Sequence, residues 1–263
     1  MTPDHSYATH SHPAQTEPET PPKSFVSRLV GAWFSPGETF AEVGRAPRPL
    51  LPLIALVVLT AISSFLLINR IGVSRFFGQG LEKAVASGRI TQEQANQQLE
   101  AMTKREGIIK ASFPLTGAVG ALLVTLVIAG AFKLVTMVLG KDNGFGQVLS
   151  VTAYALLAVG IVQMVVMVAL LYLKSPDDLD IQNLIGSNLG ALLTMVTSEN
   201  SLPKFVTALA AYVDVFALWK LVLLAIGYAA VTPKLKTSTA AGALGALYAI
   251  VAVIGAAWTA FRG

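Results

Sequence analysis

Positions 212–231, YVDVFALWKLVLLAIGYAAV, form an apolar run that carries an Asp and a Lys and is closed by Pro233, Lys234 and Lys236. A helix rises about 1.5 Å per residue and a bilayer's hydrocarbon core is about 30 Å thick, so 215–231 nearly spans and the stretch from Phe205 more than spans. The run therefore predicts a transmembrane helix. Ionisable groups are costly at membrane depth, which makes Asp214 and Lys220 the residues that most need partners. Six residues turn a helix through about 240°, so the two face apart and each needs its own partner. Asp214 has a simple solution as an N-cap for 215–217, with 205–213 then a separate short helix; the competing reading is a buried proton or ion site. Lys220 either snorkels along its own stem or faces a wet cleft between helices.

Composition agrees with a membrane class. Apolar residues make up 54% of the 263 and charged ones only 13%, which predicts an all-α polytopic membrane protein and not a soluble domain. With no Cys there is no disulfide, thiolate metal site or Cys nucleophile. A formal charge of +4, spread over loops, fits contact with anionic lipid headgroups better than a nucleic-acid footprint.

Residues 1–24 read as a disordered tail rich in Pro, Thr, Ser and His, without the apolar core of a cleaved signal peptide. His5, His10 and His12 there read as solvated side chains in preference to a metal site. From Phe25 an amphipathic pattern (Phe25, Val26, Leu29, Val30, Trp33, Phe34) predicts a short helix in the headgroup plane, with Lys23 and Arg28 beside it. Ser35, Pro36 and Glu38 read as cap, first helical residue and capping-box acid of a second short helix containing Phe40 and ended by Gly44.

Five spans follow, at about 50–68, 113–139, 148–173, 214–231 and 240–261. A polar helical hairpin at 79–106 separates the first two, with pieces near 81–86 and 91–106, Thr91 as cap and Gln94 in the box position; it rests on the membrane or a partner, or is a solvated spacer. In the second span Gly117, Ala121, Thr125, Ala129 and Lys133 recur every fourth residue, a small-residue face suited to close helix approach. Lys133 ends that face, either reaching headgroups or acting functionally. Tyr154 and Gln163 are the polar handles of the third span. After Ser175, Pro176 and Asp178, another cap signature, 181–196 is helical in pattern but polar, lying on the membrane or dipping into it. Ala241, Gly245 and Ala249 give the last span a second small-residue face, which a second copy of the chain could use, and Trp258 and Arg262 anchor its end.

Lys23, Arg28, Arg45, Arg48, Lys141, Lys234 and Lys236 favour a cytoplasmic N-terminus, and the acidic loop with Asp177, Asp178, Asp180 and Glu199 fits outside. Seven basic residues after the first span oppose this, offset by Glu82, Glu93, Glu100 and Glu106. No nucleophile elbow, zinc-protease motif, phosphate loop or dinucleotide fingerprint occurs, and paired carboxylates fall only in loops. The expectation is no enzyme, no cofactor and no metal.

The start FVSRLVGAWFSPGETFAEVGRAP ahead of five spans, with DVFALWKLVLLAIGYAAV in the fourth, resembles the bacterial branch of the YIP family, named for eukaryotic members that interact with Ypt/Rab GTPases. The resemblance covers 25–261 and lies in the pattern of Pro, Phe, Asp, Trp and Gly in those stretches; Trp33, Phe34, Pro36, Phe40, Lys133, Asp214, Trp219, Lys220 and Gly227 are the candidate structural or interaction residues. It implies a five-helix membrane bundle with a cytoplasmic N-terminus, at home in a bacterial inner membrane. Two functions from different classes remain. One is a non-enzymatic membrane-organising scaffold that engages lipid or a membrane or cytoplasmic protein. The other is a small transporter or channel with a polar cleft formed by Lys133, Lys220 and Asp214, against which counts the lack of an inverted repeat and of broken helix pairs.

Overall fold

The computed structural model describes residues 23–175, 178–196 and 202–262. The tail with its three His, and Pro176, Asp177 and Glu199, lie outside the described residues. Eleven α-helices occur among those described: α1 (Phe25–Phe34), α2 (Pro36–Arg45), α3 (Leu50–Ile71), α4 (Val73–Ala86), α5 (Gln92–Lys104), α6 (Glu106–Val138), α7 (Phe145–Leu173), α8 (Leu189–Val196), α9 (Lys204–Ala210), α10 (Val215–Val231) and α11 (Thr237–Arg262). The only β feature among these residues is one isolated bridge, Asn188 to Asp214. Four helices, α3, α6, α7 and α11, are long and apolar enough to cross a membrane, and α1 and α10 are shorter apolar helices, α10 of 17 residues.

α3 packs on α6 and α7, α10 packs on α7, α11 and α2, and α1 lies on α7. α3 and α7 run parallel: Leu56 and Leu59 meet Gly160, and one level on, Arg70 Nε donates to the Leu171 carbonyl at 3.0 Å. The small-residue face of α6 turns inward. Thr125 and Ala129 are fully buried, and a methyl on Gly117 would overlap Ser64 Oγ of α3, so this face is already used within the chain. On α11, by contrast, a methyl on Gly245 would meet nothing within 4 Å. At the bundle's centre the Phe132 and Tyr228 rings stack at 3.8 Å, and Tyr228 and Thr152 share a buried 2.7 Å hydroxyl pair.

Several boundaries differ from the sequence expectation. α3 does not stop before Asn69 and Arg70. Both side chains find carbonyl acceptors, Phe65 and Leu171, so the helix continues to Gly72, whose φ of 85° ends it and starts α4 at once. α6 begins at Glu106, well before 113, with Pro114 inside it. An acid in the first turn favours the helix dipole, and the Glu106–Lys110 pair at 2.7 Å braces the polar start. The capping box expected at Ser35 does not form: Pro36 is the first helical residue, but the Ser35 side chain makes no cap bond and Gly44 lies within the helix. Thr91 and Gln94 do form one reciprocally, at 3.1 and 2.9 Å. Finally, 181–196 is not one helix. Gly186 at φ 62° breaks it after a single 3-10 turn, and Asn188 restarts it by accepting from the Ala191 N–H at 2.8 Å.

Candidate functional site

The N-terminal residues build the most interlocked part of the molecule. α1 and α2 form a tight hairpin because Gly31 leaves room for Thr39; a methyl there would overlap the Thr39 hydroxyl. Arg28, on the inward face with Ala32, is 1% exposed. Its Nε and Nη2 lie 3.2 Å from Glu42 Oε1, and its Nη1 donates to the Ala46 carbonyl at 3.0 Å. Glu42 also accepts from the Lys23 backbone N–H at 2.6 Å. The guanidinium therefore ties the start of α1 to the end of α2. Buried Nη2 and Thr39 Oγ1 are left without hydrogen bonds, so the cluster is a costly one held by its charge pairing.

The hairpin docks through aromatic residues. Trp33 Nε1 donates to the Ala158 carbonyl of α7 at 2.9 Å, and the Phe25 ring lies 5.9 Å from that of Tyr154. Phe40, fully buried, sits against Gly227 of α10, where a methyl would stand 3.1 Å from its ring and overlap Val151. Gly44 likewise meets Val231, and its carbonyl accepts from Gln147 Nε2 at 2.7 Å. These contacts correct the picture of a helix lying flat with Trp33 and Phe34 side by side and Arg28 among headgroups. Trp33 and Arg28 turn into the bundle, whereas Phe34 is 79% exposed with Val30 and Val26 one and two turns before it. Pro36 is half-buried at the hairpin tip.

Along α10 the remaining residues take separate places. Asp214 caps the helix, Oδ1 accepting from the Ala217 N–H at 2.8 Å, while Oδ2 accepts from the Ser187 hydroxyl. Trp219 is half-buried against the main core. Lys220 enters a cleft of about 320 Å3 between α3, α6 and α7, whose other polar linings are Thr60, Ser63 and Gln163. Lys133 lies elsewhere. Its ammonium donates to the Asn143 carbonyl and, at 3.1 Å, to Asn143 Oδ1, with Asp142 at 3.9 Å. Asn143 also accepts from Thr136 at 3.2 Å and donates to Thr232 at 2.9 Å, so it joins the ends of α6 and α10. Neither Lys133 nor Asp214 lines the Lys220 cleft, and the three charges do not converge. Among the described residues no group of three or more His, Asp or Glu side chains could hold a metal.

Sequence reasoning missed the Arg28–Glu42 pair and the Asn143 hub. The usable signal for the first was the spacing of Arg28 from Phe25 and Ala32, which puts it on the face that packs. For Asn143, in a turn between two spans, no local pattern distinguishes a buried side chain from a solvated one.

Long apolar helices packed in a bundle, with amphipathic helices at its flank, define a multi-pass integral membrane protein. The model of the Yip1 domain matches residues 30–260, and the chain belongs to that family. No curated protein and no solved structure matches it.

Proposed function

We propose that the chain is a non-enzymatic membrane scaffold whose α1–α2 hairpin is a fixed lipid- or protein-engaging element. The observation that carries this is the two-faced character of α1. One face is braced against α2 by Arg28 and bolted to α7 by Trp33, and the other presents Val26, Val30 and Phe34, at 63%, 43% and 79% exposure, as a continuous apolar stripe. A helix held this rigidly while exposing large apolar side chains suits contact with acyl chains or a partner helix. The end of the bundle bearing this hairpin also bears Arg45, Arg48, Lys141, Lys234 and Lys236, which supports a cytoplasmic N-terminus in an inner membrane. For a second copy of the chain, the open Gly245 face of α11 is the supported contact.

Spin labels placed singly at Val26, Val30 and Phe34 in reconstituted vesicles test the proposal. Protection from an aqueous nickel relaxant at all three positions is the expected result, with oxygen accessibility marking acyl contact and its loss marking a packed partner. Free nickel access at all three would overturn it.

A further inference from the structure

We propose that the cleft at Lys220 binds a single-chain amphiphile with a carboxylate head, a fatty-acid-like anion drawn from the bilayer. Among the described residues neither the Lys220 ammonium nor the Gln163 amide has a hydrogen-bond or ion-pair partner, yet both line the same cleft. The two hydroxyls beside them are already committed as donors, Thr60 to the Leu56 carbonyl and Ser63 to the Leu59 carbonyl, each at 2.8 Å. The donors left facing the cleft are thus an ammonium and an amide, and a carboxylate is the acceptor-only group that matches them. Asp214, on the same helix, makes no ion pair with Lys220: its carboxylate is held at the helix start by the Ala217 N–H and the Ser187 hydroxyl and attracts the ammonium only from a distance.

Depth and shape select the rest of the ligand. Lys220 lies six residues inside the Asp214 cap and eleven before Val231, about 9 and 17 Å along the helix, away from either end of α10. A cation there with no anion in direct contact is costly, so an anion that reaches it from the hydrocarbon gains a strong contact. The other walls include Leu56, Met164, Met167 and Val124; Val124 is 55% exposed on the lipid side of α6, which opens the cleft to acyl chains. Thioether side chains adapt to a flexible chain, and a volume of about 320 Å3 is at the small end for ligand sites. A phospholipid phosphate, held at the headgroup level and carrying a second chain, suits this cleft less well.

The full chain in detergent is tested with three diazirine-bearing probes: palmitic acid, hexadecanol and phosphatidylglycerol. The expected result is palmitic-acid labelling of the α6 and α7 segments lining the cleft, displaced by unlabelled palmitate, with hexadecanol labelling weaker by about tenfold. Lys220→Met removes the preference for acid over alcohol, and Gln163→Leu reduces it. Equal labelling by acid and alcohol on the parent chain would overturn the proposal whether or not the Lys220 variant folds. So would labelling confined to other segments, an unchanged acid preference in folded Lys220→Met, or cleft labelling by phosphatidylglycerol that palmitate fails to displace.

Discussion

Replacing Arg28 by Met should open the α1–α2 hairpin without unfolding the bundle. The substitution keeps the aliphatic stem and removes a guanidinium that is 1% exposed. With it go two contacts to Glu42 at 3.2 Å and one to the Ala46 carbonyl at 3.0 Å. Breaking a buried pair by deleting one partner costs about 3–5 kcal/mol, because the other charge stays behind. Here Glu42 retains its bond from the Lys23 N–H and the Lys23 ammonium at 3.8 Å, so part of that cost is relieved by the remaining positive partner. The expected loss is about 2–4 kcal/mol of α1–α2 hairpin stability. Chymotrypsin reads it directly: Phe40, fully buried in the parent, becomes a cleavage site in Arg28→Met, while near-parental unfolding of the remaining helices in detergent shows that the bundle persists. The double variant, Arg28→Met with Glu42→Met, leaves no stranded charge and should recover at least about 1 kcal/mol. If Phe40 stays protected in Arg28→Met, or if the double variant is as labile as the two single losses added, the pair does not hold the hairpin.

Two further outcomes follow from the same geometry. Gly227→Ala should destabilise by about 1–3 kcal/mol through overlap with Val151 and Phe40, outweighing the gain of about 1 kcal/mol in helix propensity, whereas Gly242→Ala, with open space at the new methyl, should be neutral or stabilising; thermal unfolding of the pair in detergent checks the contrast. Asp214→Ala should lose about 0.5–2 kcal/mol of α10 stability while Asp214→Asn keeps most of it; an Asn variant as unstable as the Ala variant would show that the charge, and not the cap, is what matters at Ser187 and Ala217.

The all-α membrane class was legible from the sequence because it depends on summed local properties. Runs of apolar residues longer than the hydrocarbon thickness have few stable alternatives to a spanning helix, since every backbone polar group must be satisfied within the segment. The same holds for the Thr91 box and the Asp214 cap, whose bonds close within three residues. What only the tertiary structure decided is where polar side chains find partners far along the chain. Asn69 and Arg70 look like the end of a span by composition, yet Arg70 is satisfied by a carbonyl 101 residues away and the helix goes on. Arg28 reads as a headgroup contact until Glu42 and Ala46 fold back over it. Trp33 and Phe34 are neighbours with the same apolar character, but a single step of about 100° along a helix sends one to the Ala158 carbonyl and the other outward. Lys133 and Lys220 are both isolated cations in apolar spans. The first meets Asn143 because a tight turn brings it back within ten residues, and the second faces a cleft that exists only where α3, α6 and α7 fail to close against α10. Hydrophobic length is a property of a segment, but the pairing of a buried charge is a property of the packed bundle.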